Sequence, residues 1–234
     1  MPSSITVPVR QVTDATPRTR VISLDLCDAE FAFAAGQAVM LGLHGSPLRK
    51  PYSIASAPWE LSKTGTLQVL AQIEDAGGLD PHLELAEPGT QLDLEGPFGT
   101  FGLPADETVP LLFVAGGTGI APLRSMLIER LSRPARVPVS LIYSARSAEE
   151  FAFRAELDAL TAAGRIAAHF TVTRDESGTW PGRRGRIDGG LLKDALPSVQ
   201  SLCLVCGPPQ LVADASALLI ALGVAEERIL IEKY

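Results

Sequence analysis

The chain has 234 residues, 46% of them hydrophobic, so it is long enough for two domains with sizeable cores. Its net charge of −7 disfavours nucleic acid and anionic membrane surfaces as partners. No apolar run reaches the roughly 18 residues of a membrane span, and the first residues lack the pattern of a signal peptide. With three cysteines, too few for a disulfide framework, we expect a cytoplasmic protein with no membrane insertion.

The first half of the chain consists of short strand-like runs separated by glycine and proline. Their composition and spacing predict six strands, at 5–12, 20–26, 37–43, 51–56, 67–73 and 91–96. A short helix is predicted over 80–86, where Asp80 suits the N-cap and Pro81 the first helical position. Several short strands with turns between them predict an antiparallel β-barrel, which we place at residues 1–104.

The second half alternates between strands and helices. The predicted strands are 110–116, 137–145, 166–173, 201–207 and 228–234. The predicted helices between them are 120–131, 148–163, 189–196 and 209–222. This order predicts an α/β domain over 105–234, with a five-stranded parallel sheet covered by helices on both faces.

A glycine-rich turn is the sharpest local pattern. The stretch "LLFVAGGTGIAPLRSML" places Gly116, Gly117 and Gly119 where a buried strand passes into a helix. Backbone N–H groups in such a turn can approach a phosphate, and the helix N-terminus favours its charge. The turn is neither a Walker A loop nor the usual dinucleotide fingerprint, which has a third glycine where Pro122 stands. From these residues alone, a nucleotide-binding turn and a purely structural turn are equally good interpretations.

Two further stretches place polar groups near strand ends. "LCLVCGPPQ" ends the fourth strand of the second half with Cys206 and Gly207. Ligands of open α/β sheets lie where the strand order reverses, so we expect the first and fourth strands of this half to be neighbours. In "LRKPYSIAS", Lys50 and Tyr52 share one strand face and Ser53 the other. Taken singly, each stretch is better explained by ordinary strand residues, and the cysteine spacing predicts no metal site.

In their order along the chain, these stretches resemble the ferredoxin–NADP reductase superfamily of flavin-dependent reductases. The resemblance covers nearly the whole chain. "KPYSIAS" is similar to the Arg-x-Tyr-Ser flavin motif of that family, and "GPFGTF" to the Gly-Pro-x-Gly that ends its barrel domain. "GGTGIAPLRSML" and "VCGPP" are similar to its two nicotinamide-nucleotide motifs. The terminal "EKY" matches the Glu-x-Tyr ending of plant-type members.

This resemblance implies a flavoprotein reductase in which a hydride passes from NADPH or NADH to bound FAD. Electrons then leave to a separate acceptor, because the chain has no cysteine spacing for an iron–sulfur cluster. A ferredoxin or flavodoxin fits the plant-type ending, while an oxygenase component and free flavin are alternatives. A hypothesis of another class is a non-catalytic flavin- or nucleotide-binding sensor or assembly subunit.

Site residues follow from the resemblance position by position. The implied flavin contacts lie in the motif strand and before Asp80, at Lys50, Pro51, Tyr52, Ser53, Gly77, Gly78 and Leu79. The implied nucleotide contacts lie in the two glycine motifs and a basic segment, at Gly117, Thr118, Gly119, Thr173, Arg174, Arg183, Cys206 and Gly207. The implied catalytic residues line the hydride pocket: Ser53, Cys206, Glu232 and Tyr234.

The resemblance gives each implied catalytic residue its own role. Ser53 hydrogen-bonds near flavin N5, and Cys206 positions the nicotinamide. Glu232 orients Ser53 or relays a proton. Tyr234 stacks on the flavin face that the nicotinamide must use, with packing between the domains as the alternative.

Three features of the sequence bear on the choice of cofactor. Lys50 stands where the family has arginine, and Arg49 is expected to point to the opposite face. Asp80 stands where the family usually has serine or threonine, so FMN is an alternative to FAD. Thr173 and Arg174 correspond to the Ser-Arg pair of NADP-preferring members, which favours NADPH and leaves NADH as the alternative.

Overall fold

The computed structural model describes residues 4–27, 29–73, 83, 86–134, 136–175 and 178–234. It divides into two compact units, of which unit 1 is Met1–Leu103 with Arg124–Arg130 and unit 2 is Pro104–Leu123 with Leu131–Tyr234. Gly77, Gly78, Leu79 and Asp80 lie outside the described residues, as does the predicted helix over 80–86 apart from Leu83 and Ala86.

Unit 1 is built on an antiparallel sheet, as predicted. Its strands are β1 Ser4–Thr16, β2 Thr19–Asp25, β3 Ala38–Leu43, β4 Lys50–Ser53, β5 Thr66–Gln72 and β6 Gln91–Phe98. They lie in the order β4-β3-β6-β1-β2-β5. A bridge between Ile54, just after β4, and Val69 of β5 joins the two ends of the sheet. This closure makes the sheet a barrel.

Alternate residues of these strands form the core of unit 1. Val39 and Leu41 of β3 and Leu92 and Leu94 of β6 are almost completely buried. Each such side chain stabilises the fold by roughly 1.5–3 kcal/mol relative to an exposed one. The period-2 pattern in the sequence reflects this one-sided burial, which is why the strands could be predicted.

A short helix, α1 (Pro58–Thr64), was not predicted. It has no buried residue, so the sequence carries no apolar period that would indicate a helix. Capping defines it instead. The Glu60 carboxylate accepts a hydrogen bond from the backbone N–H of Ala57 at 2.7 Å, and Gly65 ends the helix in the left-handed conformation.

The elements after residue 110 alternate between strand and helix. The strands are β7 Leu111–Gly116, β8 Val139–Ala145, β9 Ala167–Val172, β10 Arg183–Arg184, β11 Leu202–Gly207 and β12 Ile229–Lys233. The helices are α2 Ile120–Ser132, α3 Arg154–Ala162, α4 Gly189–Ala195 and α5 Pro209–Ala221. Within the described ranges, no helix is long and apolar enough to span a bilayer.

The sheet of unit 2 is parallel, with the order β10-β9-β8-β7-β11-β12. The predicted first and fourth strands, β7 and β11, are neighbours as expected. The sheet has one strand more than the five predicted, because β10 is a two-residue pairing that no apolar pattern marks. Leu112 and Val114 of β7 pack with residues of α4 and α5 in one apolar cluster.

Helix α3 begins later than predicted. Residues Ala148–Glu150 form a single 3₁₀ turn, and Phe153 has φ 58°, which interrupts any continuous helix from residue 148. Phe151 is buried in this break, with its ring edge-on to Tyr143 at 5.1 Å. Burial of an aromatic side chain therefore outweighs the helical preference of the segment.

Candidate functional site

The glycine turn of unit 2 joins a strand to a helix with no intervening loop residues. Gly116 ends β7, residues Gly117–Gly119 form one 3₁₀ turn, and α2 begins at once. Gly117 has φ 53°, a left-handed conformation that favours glycine. A Cβ on Gly119 would lie 2.6 Å from the carbonyl carbon of Cys206, so only glycine fits between the turn and the end of β11.

This turn suits a phosphate group. It directly precedes the first turn of α2, where backbone N–H groups have no partner within the helix and the helix dipole favours an anion. Gly117 is exposed and Thr118 is partly exposed, so both are open to a ligand. The residues present therefore fit the pyrophosphate of a nicotinamide nucleotide.

Cys206 and Glu232 meet across two neighbouring parallel strands. Cys206 of β11 is paired in register with Glu232 of β12, and its thiol donates to the Glu232 carboxylate over 3.9 Å. Burial raises the pKa of the Cys206 thiol, and the Glu232 charge raises it further. Cys206 is therefore a neutral thiol that can pack and donate a hydrogen bond, rather than a nucleophile.

The last residue contacts the glycine turn. The Tyr234 hydroxyl donates to the Gly116 carbonyl oxygen at 2.7 Å. A Cβ on Gly117 would lie 2.9 Å from the same hydroxyl. Burial raises the pKa of Tyr234, while hydrogen bonds from Thr118 and Gly119 oppose the shift. The residue as a whole is 54% exposed, so its hydroxyl is held at the turn while much of its ring is open.

The implied nucleotide and catalytic residues of unit 2 are divided along its sheet. One group meets where β7, β11 and β12 end: Gly117, Thr118, Gly119, Cys206, Gly207, Glu232 and Tyr234. Thr173 and Arg174 follow β9, which is separated from β7 by β8. Because parallel strands end at one edge, both groups lie on the carboxyl edge of the same sheet.

Two arginines that follow β9 in the sequence form ion pairs with carboxylates. Arg183 is ion-paired with Asp188, and Arg184 with Asp175 at 2.8 Å. The guanidinium of exposed Arg174 makes no hydrogen bond or ion pair with any described residue. Arg174 is thus better placed than Arg183 to bind a phosphate.

The sequence did not predict a cluster of three aromatic rings around the Arg154 guanidinium, formed by Phe151, Phe170 and Trp180. The Arg154 guanidinium lies 4.0 Å from the ring centre of Phe170 and 5.2 Å from that of Trp180. A Cβ on Gly182 would lie 2.8 Å from the Trp180 ring, so glycine allows the indole to lie flat against the chain. In the stretch "TWPGRRGR", a glycine two residues after the tryptophan was the only local sign of this packing.

In unit 1, β4 carries the implied flavin residues and lies at the end of the sheet order. Its register pairs Leu41 with Lys50 and Val39 with Tyr52, so Lys50 and Tyr52 share a face as predicted. Tyr52 is half-buried against the core, and Pro51 is exposed. An ammonium group, an aromatic ring and the Ser53 hydroxyl on a terminal strand fit a flavin and its phosphates.

Three comparisons with known proteins agree with this geometry. Residues 6–102 match the oxidoreductase FAD-binding domain family, and residues 113–217 match the oxidoreductase NAD-binding domain family. Ferredoxin–NADP reductase B of Sorangium cellulosum is 34% identical, covering 95% of this chain and 94% of its own length. NADH-cytochrome b5 reductase 1 of Laccaria bicolor is 28% identical, covering 88% of this chain and 68% of its own length.

Among solved structures, the Amycolatopsis cytochrome P450 reductase GcoB is similar with a TM-score of 0.83 and 25% identity. The match covers 100% of this chain and 71% of that protein. The two domain families establish the cofactors as FAD and NAD(P)H. The chain belongs to the ferredoxin–NADP reductase superfamily and is an NAD(P)H-dependent flavin oxidoreductase that passes electrons to an acceptor.

Proposed function

We propose that the acceptor is a separate protein of the ferredoxin or flavodoxin type, and that NADPH is the preferred donor. The observation that carries this proposal is the 34% identity to a ferredoxin–NADP reductase over nearly the full length of both chains. When bound, FAD takes up a hydride and releases electrons one or two at a time. A second acceptor class, an oxygenase component, is favoured by the likeness to a cytochrome P450 reductase.

We assign flavin binding to residues 1–104 and nucleotide binding to residues 105–234. Lys50 neutralises a flavin phosphate, the Tyr52 ring packs on the flavin, and Ser53 donates near its reactive nitrogen. Pro51, which is exposed between Lys50 and Tyr52, is assigned to the same flavin site. Gly77, Gly78 and Leu79 are assigned to the flavin pyrophosphate, with FMN as the alternative cofactor.

On the nucleotide side, the turn at Gly117, Thr118 and Gly119 binds the pyrophosphate, whose oxygens replace the Tyr234 hydroxyl as acceptor of the Thr118 and Gly119 N–H groups. Gly207 lets the end of β11 approach the turn, since a Cβ there would lie 3.2 Å from the Cα of Gly116. Thr173 and Arg174 bind the 2′-phosphate of NADPH, with Arg183 in a lesser role because Asp188 already engages it.

The neutral thiol of Cys206 positions the nicotinamide, and Glu232 holds that thiol by accepting its hydrogen bond. Glu232 is also assigned the relay of a proton. These roles concern the transition state more than binding. Glu232→Gln and Ser53→Val should therefore slow flavin bleaching while nucleotide affinity changes little. Weaker affinity with unchanged bleaching at saturation would contradict the roles.

A panel of acceptors tests the proposed function. The FAD-loaded protein is mixed with NADPH and, in turn, a ferredoxin, a flavodoxin, an oxygenase component, free FMN and oxygen. We expect reduction of the ferredoxin or flavodoxin to be the fastest. If free FMN or oxygen were reduced faster than every protein acceptor, the proposed acceptor class would be wrong. Fastest transfer to the oxygenase component would support the second candidate.

A further inference from the structure

A buried carboxylate lies on the outer side of the unit 1 sheet. Asp93 of β6 stands between Leu92 and Leu94, whose side chains enter the core, so strand alternation directs Asp93 to the opposite face. It is nevertheless only 7% exposed. A buried carboxylate is costly unless donors surround it, so its partners indicate what it is for.

Asp93 accepts hydrogen bonds from four groups. Thr6 of β1 donates its hydroxyl at 2.7 Å, and the His44 ring nitrogen Nδ1 lies 2.8 Å away. Arg49 approaches at 2.6 Å, and the backbone N–H of Gly45 at 3.4 Å. The hydrogen bonds from His44, Thr6 and Gly45, with His44 the largest, lower the pKa of Asp93 against the effect of burial. Three of the four partners belong to residues 44–49, the loop that joins β3 to β4.

Gly42 makes room for the contact between Arg49 and Asp93. It is paired directly with Asp93 across β3 and β6. A Cβ at Gly42 would collide with the Leu48 carbonyl oxygen of the loop and lie 2.6 Å from Nη1 of Arg49. The arginine therefore crosses β3 over the one residue without a side chain. Its Nη1 also donates to the carbonyl oxygens of Ser46 and Leu48, which ties the loop to itself.

The loop leads directly into the flavin strand. β4 has four residues, lies at the end of the sheet order and begins at Lys50, the residue after Arg49. A slip of one residue in its pairing with β3 would exchange the faces of Lys50 and Tyr52 for those of Pro51 and Ser53. At the Ser53 end this register is held by the residues that follow, because the Ile54 N–H donates to the Gln37 carbonyl and the Ala55 N–H to the Gln68 carbonyl. The 44–49 loop is left to hold the Lys50 end.

We propose that Asp93 and Arg49, with Gly42 between them, form a positioning device that fixes the 44–49 loop and so sets β4 for flavin binding. The proposal rests on the assignment of the flavin to β4. It also gives Arg49 a role beside Lys50. Arg49 is committed to Asp93 and to Glu95, 3.8 Å away, so it holds the motif in place and Lys50 alone meets the flavin phosphate.

The test is FAD binding by full-length variants. FAD is titrated into apoprotein while flavin fluorescence is followed, and the visible circular dichroism of the bound flavin reports its seating. Asp93→Asn and Gly42→Ala should each raise the FAD Kd about tenfold or more, the worth of a charge-assisted hydrogen bond, and alter the dichroism. His44→Ala, at an exposed side chain, should give a smaller shift in a protein that still folds.

Two comparisons make the result specific. Asp14→Asn removes an exposed carboxylate that is paired with Arg20 on the same sheet, and it should leave FAD binding unchanged. Arg49→Gln is made alone and together with Asp93→Asn. The double variant should bind FAD no worse than whichever single variant binds FAD more weakly, because both changes break one contact.

The outcomes separate the device from the function it serves. If Tyr52→Ala weakens FAD binding while Asp93→Asn and Gly42→Ala change neither Kd nor dichroism, the positioning device is wrong. If Tyr52→Ala has no effect on FAD, the assignment of the flavin to β4 fails, and the device fails with it. Additive losses in the double variant would also contradict the proposal.

Discussion

At the scale of single residues, Gly119 and Cys206 show how little room the nucleotide turn leaves. We predict that Gly119→Ala weakens NAD(P)H binding more than tenfold, because its Cβ would push on the Cys206 carbonyl carbon 2.6 Å away. The flavin should stay bound, since the change lies in unit 2. The measurement is a titration of the FAD-loaded variant with NADP⁺.

A matched glycine controls for the added methyl group. Gly189 also lies in unit 2, and a Cβ there would meet nothing closer than Leu218 at 3.8 Å. Gly189→Ala should bind NADP⁺ as the wild type does. Equal binding by the Gly119→Ala variant would show that the turn can relax and that its tightness does not matter.

Arg174 is the residue that we expect to distinguish NADPH from NADH. We predict that Arg174→Ala raises the KM for NADPH about tenfold and leaves the KM for NADH nearly unchanged, because a charge-assisted bond to phosphate is lost. Arg183→Ala should have a smaller effect, since Asp188 already engages that guanidinium. Steady-state kinetics with both donors checks this. Equal losses for NADPH and NADH would contradict the assignment.

At the scale of elements, β12 ends in the contact between Tyr234 and the turn after β7. We predict that Tyr234→Ser tightens NAD(P)H binding, relaxes any preference for NADPH and speeds oxidation of the reduced flavin by oxygen. Tyr234→Phe distinguishes the causes. If stacking on the flavin matters, Phe should behave as wild type. If the hydrogen bond to Gly116 matters, Phe should behave as Ser. Nucleotide titration of all three proteins gives the answer, and unchanged affinities would make Tyr234 a packing residue.

Helix α1 is held in unit 1 by an ion pair between Glu60 and the nearly buried Arg124. Arg124 donates to both Glu60 carboxylate oxygens, at 3.1 and 3.2 Å, and to the Ala55 carbonyl at 2.8 Å. The Arg124 side chain is 7% exposed. We predict that Glu60→Ala lowers the free energy of unfolding by about 3 kcal/mol, because it leaves a buried charge unpaired. Urea unfolding of this variant and of Glu87→Ala, an exposed control, measures the difference. Equal midpoints would refute the prediction.

The elements also show what the sequence could and could not reveal. One-sided burial leaves a period-2 or continuous apolar pattern, so most strands were predictable. Helix α1 has no fully buried residue and only Leu61 partly packed against the core, and the break before α3 depends on the burial of Phe151, so neither left a helical pattern to read. The aromatic cluster around Trp180 arises from rings of three separate segments, which no local pattern joins.

At the scale of the whole molecule, the order of short motifs along the chain predicted the family and the fold. That order works because each motif sits at a strand end, where the fold leaves backbone groups for a ligand. The Asp93 device stayed hidden, because its side-chain partners lie 44 to 87 positions away in sequence and only strand pairing unites them. Local patterns in the sequence therefore predicted the ligand-binding segments. They did not predict the long-range contacts that hold the flavin strand in place.

The reaction on which every assignment depends is the passage of a hydride from NAD(P)H to the chain's own bound FAD. Anaerobic stopped-flow absorbance tests it most directly, with FAD-loaded protein mixed against increasing NADPH and, separately, NADH. We predict rapid bleaching of the visible flavin absorbance, with a rate that saturates and reaches half its maximum at a lower concentration of NADPH than of NADH. Bound FAD that keeps its full absorbance with both donors would contradict the claim.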